Sequence, residues 1–340
     1  MMNLLKRLTV LILALMLLLP CLTFAEEETE TEEYDAEAAA DEAVTEKNGW
    51  HFTAKGFLTG DNPGEEYILE DETNGIWQYA SADLAITVTR YQESVKIKNQ
   101  KKTREYCVAE VYASEASPLF TISTAATKKK VAGYMKDKPE KLVRDNPVIL
   151  AVSDDYYGHR LQTAATGAKW PVGVIIRNGE VRGNKTRTNK RILPPLDTLA
   201  VYEDGSMKVN LAGEKMADDF LAEGATQVFA FGPWLIRDGE INLKEAGPDS
   251  NYYAYNEPRA AIGMVEPFHY IAVVVKGEPK TKYAGVHLDW LAEKMKECGC
   301  TEALNLDGGG TACMLFNGKA IIFGRGTLRP LGSMIAFGKK

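Results

Sequence analysis

The sequence predicts an α+β fold: a mixed, largely antiparallel sheet with hairpins and a few helices. Three observations lead there. Short apolar runs of strand length recur along the body of the chain, several are joined at Asn-Gly or Asp-Gly pairs, and only two segments carry a helical period. The runs are Val108–Tyr112, Pro147–Val152, Val172–Arg177, Gln227–Phe231, Tyr270–Lys276 and Glu302–Leu306, all rich in Val, Ile and aromatics. Asn178-Gly179 and Asp238-Gly239 have the chemistry of tight hairpins, as does Asp204-Gly205 between Leu199–Tyr202 and Met207–Asn210. The helices are expected over Glu214–Glu223, with Met216, Ala217, Phe220 and Leu221 on one face, and over Leu288–Cys298, stopped by Gly299. No period of solenoid length is present.

The first residues address the chain for export. Lys6 and Arg7 precede the apolar stretch Leu8–Leu19, and Thr23-Phe24-Ala25 offers a small-residue cleavage point, so residues 1–25 are expected to be a signal peptide. Cys21 follows Pro20, where a lipidation site would want a small residue. No other stretch is long and apolar enough to cross a bilayer, so no span is expected after cleavage. Residues 26–46 hold eleven Asp or Glu and no Lys or Arg, the composition of a disordered spacer. Without the +2 of the signal and the −11 of the spacer, residues 47–340 carry only +2 of the formal −7. That near-neutral body gives no electrostatic case for nucleic acid. Residues 47–82 are expected to form an N-terminal extension, with a loop over Asp61–Asn74, and 83–340 the main domain.

Four cysteines remain after cleavage: Cys107, Cys298, Cys300 and Cys313. Export allows one or two disulfides, and a chain of this size does not require them. Cys300 and Cys313 are expected to be small buried residues; a pairing through Cys107 is the alternative.

The densest information lies in Ala303–Phe316, where an apolar strand runs into Asn305 and Asp307, then Gly308, Gly309 and Gly310, then a second apolar strand. Three consecutive glycines are entropically costly. They make sense where the backbone must bend and admit something close, and their adjacent N–H groups can form an anion-binding concavity.

Five blocks taken in order resemble the phosphodiester glycosidase family. Ala151-Val-Ser-Asp-Asp-Tyr-Tyr-Gly158 is similar to its "AINGDYYG" block, and Gly173-Val-Ile-Ile-Arg-Asn-Gly179 to the hairpin that follows. Phe231–Gly239 resembles "FGPxLVxDG", Pro258–Gly263 "NPRTAIG", and Ala303–Met314 "NLDGGGSSTM". The likeness runs from Asp83 to Gly338. It implies an exported hydrolase that cleaves a sugar-1-phosphodiester bond, of the N-acetylglucosamine phosphodiester kind, in a glycoconjugate or envelope glycopolymer. It also implies a bacterial protein that is secreted or held in the cell envelope, with no cofactor firmly required.

Such a site needs a cation or amides for phosphate and a carboxyl group for proton transfer or for an oxocarbenium-like transition state. Arg259 suits the first task, since a guanidinium can take two phosphate oxygens. The amides of Gly308–Thr311 can add to it, and Gly232 belongs to the matching block. Asp307 suits the second task, or could hold a divalent cation. Asn305, two residues earlier on a strand, shares its face. Asp155 is a candidate second carboxylate. Tyr156 and Tyr157 are either a sugar-stacking wall or a buried aromatic edge. The four histidines show no metal spacing; only His159 lies near a block.

Departures cluster in the same blocks. Ser153-Asp154 replaces Asn-Gly, Glu257 and Ala260 replace the Asn and Thr flanking Pro-Arg, and Lys276-Gly277-Glu278 replaces Asp-Gly-Arg with both charges inverted. Asp289 sits one position from the family's Glu, and Thr311-Ala312 replaces two serines. An acid in place of Arg near a phosphate swaps attraction for repulsion. The alternative function is therefore a catalytically inactive relative that binds envelope glycan or phosphopolymer.

Overall fold

The turn dipeptides set the framework in the computed structural model. Asn178-Gly179 (φ 50° and 77°), Asp238-Gly239 (51°, 77°) and Asn317-Gly318 (45°, 80°) each place two consecutive residues in the left-handed region, which a two-residue type I′ hairpin needs. The structure describes residues 44–125, 135–155, 162–163, 169–170, 173–185, 196–241, 255–278 and 282–338. The expected signal peptide, the spacer up to Ala43, Tyr156, Tyr157 and His159 lie outside them.

The largest sheet has nine strands. Its order is β17 (Glu240–Ile241), β16 (Trp234–Arg237), β20 (Glu302–Asn305), β18 (Arg259–Glu266), β19 (His269–Lys276), β6 (Gln100–Ala113), β5 (Leu84–Ile97), β4 (Ile76–Ala80) and β3 (Tyr67–Asp71). A second sheet runs β12 (Glu180–Lys185), β11 (Gly173–Arg177), β15 (Ala225–Phe231), β13 (Asp197–Tyr202), β14 (Met207–Asn210). A third runs β22 (Lys319–Phe323), β21 (Cys313–Phe316), β8 (Val148–Ser153), β23 (Ser333–Gly338), β7 (Phe120–Ser123). Two ribbons complete the set: β1 (Thr45–Lys47) with β2 (Trp50–Phe52), and β9 (Gln162–Thr163) with β10 (Lys169–Trp170). Neighbouring strands are antiparallel in all five sheets.

Strand alternation sorts the side chains. Trp77, Ile86, Val88, Val111 and Tyr270 of the nine-stranded sheet meet Leu199 and Phe229 of the second sheet and Leu150, Met314 and Phe337 of the third in one core. Ile271, Val273 and Val275 point to the opposite, outer face, where α3 (Leu288–Glu297) covers them with Leu288, Leu291, Ala292 and Met295. Gly299 ends α3 at φ 86°, its N–H reaching Lys296 O (2.9 Å) while Cys300 N–H reaches Met295 O (3.1 Å). This is a Schellman end, and the expected stop at Gly299 holds.

Three expectations need correction. Residues 61–74 are not one loop: Tyr67–Asp71 is an edge strand, because Ile76–Ala80 offers it a full partner. Residues 61–66 are irregular, and Asp71–Asn74 turns, the Asn74 amide caught by the Asp71 carboxylate (Asn74 N to Asp71 Oδ1, 3.0 Å). The helix expected over Glu214–Glu223 is shorter, α2 (Ala217–Ala222), because Met216 is extended and the Asp219 carboxylate accepts its N–H at 2.9 Å. A short helix α1 (Pro139–Arg144) was not expected; Pro139 starts it, and Leu142 and Val143 pack on the third sheet. Cys107, Cys298, Cys300 and Cys313 are all free, so no pairing through Cys107 exists. Burial pushes the Cys107 thiol up to about 12.

No helix among the described residues is long and apolar enough to cross a membrane.

Candidate active site

The site forms where β18 begins and β20 ends. Ala261 pairs with Asn305, and Leu306 N–H donates to Ala260 O at 2.8 Å. The same register continued by one residue sets Arg259 opposite Asp307. Ala260, Leu304 and Leu306 turn into the core, so Arg259, Asn305 and Asp307 take the opposite side of the sheet. Ala260 is thus a packing residue, and a hydroxyl there would enter the core.

The glycines explain themselves through what approaches them. A Cβ on Gly308 would lie 2.5 Å from Pro258 O, and Gly309 (φ 64°) donates its N–H to that same oxygen at 2.9 Å. A Cβ on Gly310 would lie 2.5 Å from Arg329 Nε. Across the loop, a Cβ on Gly324 would lie 1.9 Å from Gly309 O. The close approach expected of this loop is therefore made by the protein itself, through the Pro258-Arg259 main chain and the segment 324–329. Gly324→Ala should cost on the order of 3 kcal/mol, the upper end for overpacking, in thermal unfolding. Gly64→Ala, whose Cβ meets nothing nearer than 3.5 Å, should leave the melting temperature unchanged.

Asp307 is 7% exposed. Its N–H donates to Asp154 O (3.1 Å), and its Oδ2 lies 2.7 Å from Thr311 Oγ1. That hydroxyl is also 2.6 Å from Gly308 O and has one proton to give, so it donates to one of them at a time. Thr311 therefore positions the acid, besides any part in holding phosphate. Of the expected loop amides, Gly309 N–H is taken by Pro258 O and Thr311 N–H by Gly308 O at 3.3 Å.

Asn305 is locked to the cis peptide Gly232–Pro233. Its Nδ2 donates to Gly232 O (2.8 Å) and its O accepts from Gly232 N–H (3.2 Å). The buried Asn305 Oδ1 has no hydrogen-bond partner among the described residues, an expensive state for an amide oxygen. Behind Gly232 stands Asp197, whose carboxylate accepts from Ala212 and Trp234 N–H at 3.2 Å each. Burial raises its pKa in spite of those two bonds.

Arg259 is 9% exposed and donates to Tyr255 O (3.1 Å) and Val286 O (3.4 Å). Two further arginines, not singled out in the sequence, join it. Arg325 pairs with Glu257, and its Nη2 is 3.7 Å from where a Gly309 Cβ would stand. Arg329 lies across Gly310, exposed and with no ion-pair partner among the described residues. The signal was present in Gly324-Arg-Gly-Thr-Leu-Arg-Pro330, two cations four apart in a glycine- and proline-rich run. Glu257, the departure that replaces the family's Asn, has Arg325 as its counter-charge. Lys276, another, is shared by Glu105 (3.6 Å) and the Tyr283 ring (4.1 Å).

Asp155 takes a different place from the one expected. Its Oδ1 pairs with Arg177 and its Oδ2 accepts from Ala230 N–H at 2.6 Å, leaving both oxygens engaged. Asp154 Oδ2 accepts from Ser333 and lies 3.4 Å from Arg177. Arg177 itself donates to Val228 O (2.6 Å) and stacks on Phe229 at 4.5 Å. This buried cluster ties the third sheet to the second. It meets the site at the Asp154 carbonyl, which accepts from Asp307 N–H. Among the described residues no three of His, Cys, Asp and Glu converge on a point that could hold a metal ion.

Comparison with known proteins adds the following. Residues 146–338 match the phosphodiester glycosidase family model. The SPbeta prophage-derived uncharacterized protein YomE of Bacillus subtilis (strain 168) is 30% identical over 120 residues, 35% of this chain and 18% of that protein. The chain thus spans under a fifth of that relative's length. The fold is similar to the zebrafish N-acetylglucosamine-1-phosphodiester alpha-N-acetylglucosaminidase catalytic domain auto-inhibited by pro-peptide. There the identity is 18%, over 81% of this chain and 88% of that one, at a TM-score of 0.55. A hypothetical protein from Synechocystis aligns at 14% identity over 78% and 64% of the two chains, with a TM-score of 0.48.

Proposed function

Because the chain belongs to the phosphodiester glycosidase family, we propose that it hydrolyses the bond between an anomeric sugar carbon and a phosphodiester. The observation that carries this reading is the Asp307 carboxylate, held by Thr311 at a glycine loop flanked by the Arg259 main chain and by the Arg325 and Arg329 side chains. In this reading Arg329 and Arg259 attract and orient the phosphate. Asp307 stabilises positive charge at the anomeric carbon or takes a proton from the attacking water. The sugar–oxygen bond breaks, the sugar leaves as its hemiacetal, and the phosphate departs as a monoester. Such a monoester has a pKa near 6 and leaves without prior protonation. One carboxylate is then enough, which fits the engagement of Asp155 by Arg177 and Ala230.

The finer terms belong to the same proposal. The Lys6-Arg7 and Leu8–Leu19 pattern supports export, and the substrate is placed in an envelope glycopolymer or glycoconjugate. A divalent cation would have Asp307 as its nearest carboxylate. The second reading, a silent glycan- or phosphopolymer-binding relative, is favoured by one observation: Asp155, one of the two carboxylates that glycosidases ordinarily use, is bound to Arg177.

The assay is sugar release from UDP-N-acetylglucosamine and from a chromogenic N-acetylglucosamine phosphodiester. Wild type should turn over at least one of them. Arg259→Ala should lower kcat/KM by about a hundredfold, the weight of one charged phosphate contact. Release at the rate of buffer alone on both substrates would leave the binding reading standing.

A further inference from the structure

The outer face of the nine-stranded sheet carries a second feature, far along the strand order from Asp307 and outside the family-matched residues. Strand register writes it out. One row across the sheet reads Tyr67, Ala80, Ala85, Tyr112; the adjacent row on the same face reads Gln78, Thr87, Glu110. Two alanines thus form a floor between two aromatic walls, whose backbones stand about 14 Å apart by strand spacing. A polar row runs alongside. The turn that follows β2 closes over part of the floor, where a Cβ on Gly56 would meet Ala85 at 3.5 Å, and Trp50 and Phe52 meet the Tyr67 ring edge-on at 5.5 and 5.2 Å. What remains open is a cleft of about 530 Å³, with Phe52 at one side.

Its polar groups are set for a ligand rather than for packing. Glu110 Oε1 is 3.0 Å from His269 Nε2 and 3.3 Å from Tyr112 Oη, while the side chain as a whole stays 46% exposed. One oxygen is therefore anchored and Oε2 is left to the cleft. The His269 hydrogen bond also holds this carboxyl below its ordinary range, so it is ionised at neutral pH. Gln78 has no side-chain hydrogen-bond partner among the described residues. Tyr112 stacks on His269 at 4.0 Å, which fixes its ring. The charged lining residues are Glu46, Lys47, Lys55 and Glu110, which cancel. That balance contrasts with the arginines around Asp307 and selects against an anion.

We propose that this cleft is a separate carbohydrate-binding site for a neutral saccharide, stacked at Tyr67 and Tyr112 with its hydroxyls on Glu110 and Gln78. Aromatic walls suit the apolar faces of pyranose rings, and a carboxylate and an amide suit paired hydroxyls. The site would keep the enzyme on a glycan chain while the reaction proceeds elsewhere.

Isothermal titration calorimetry of the full chain with N-acetylchitotriose, maltotriose and cellotriose tests it. At least one should bind, and both Tyr112→Ala and Glu110→Gln should weaken that binding by about tenfold or more. Asp307→Asn should bind it as wild type does, which separates this site from the active site. Thr87→Arg, an exposed-face change that fills the cleft, should abolish binding with an unchanged melting temperature. The proposal is overturned if none of the three saccharides gives heat, or if only a heparin-derived tetrasaccharide does. It is overturned equally if binding survives Thr87→Arg or is lost in Asp307→Asn.

Discussion

Asp307→Asn is expected to lower kcat for phosphodiester cleavage by on the order of 10³ while leaving KM within a few-fold. Asparagine keeps the size of the side chain and an acceptor for Thr311 Oγ1, now 2.7 Å from Asp307 Oδ2. It loses the negative charge that would face the anomeric carbon and the basicity that would take a proton. The arginines are untouched, so phosphate binding should survive. A steady-state series on the chromogenic diester reads both constants. An unchanged kcat would remove Asp307 from the chemistry and shift attention to Asp197. A parallel rise in KM would instead mark Asp307 as part of the binding surface.

The largest effect on stability should come from Arg177→Met. Arg177 is 4% exposed and is a counter-charge to both Asp154 and Asp155. Removing it takes the guanidinium from beside two buried carboxylates, and breaking such a pair costs about 3–5 kcal/mol. For a chain of this size that lowers the melting temperature by on the order of 10 °C. Differential scanning calorimetry at pH 7 measures it. If the variant instead melts like wild type but has lost its activity, Asp155 is a reacting group rather than a clamp.

Legibility in the sequence followed the range of the interaction. Asn178-Gly179, Asp238-Gly239 and Gly299 carry their backbone angles in their own chemistry, so hairpins and the end of α3 could be read directly. The hairpin β5–β6 was only glimpsed at Val108–Tyr112. Its outer half alternates among Lys, Arg, Glu and Thr, and its turn is Lys98-Asn99, both at positive φ without a glycine. Asn305, Asp307 and the glycines could be picked out together because they follow one another at the end of β20, and Arg259 because it opens β18 in its own block. Arg325 and Arg329 were not, since only the packing of Gly324 on Gly309 brings that segment over the loop. The fate of Asp155 was also hidden, because its partner lies 22 residues away on another sheet.

The ladder between β19 and β6 runs unbroken from His269–Tyr112 to Lys276–Glu105. One of its strands lies inside the family-matched range 146–338 and the other outside it. Recognisable ancestry and physical independence therefore part company here. A polypeptide trimmed to the matched range would bare the hydrogen-bonding edge of eight consecutive residues of a central strand. A long, flat, hydrophobic edge of that kind invites pairing with another copy. In inheritance, too, the segment before residue 114 is not an appendage that can be gained or shed alone. It must travel with the family-matched half, and whatever its outer surface binds travels with it.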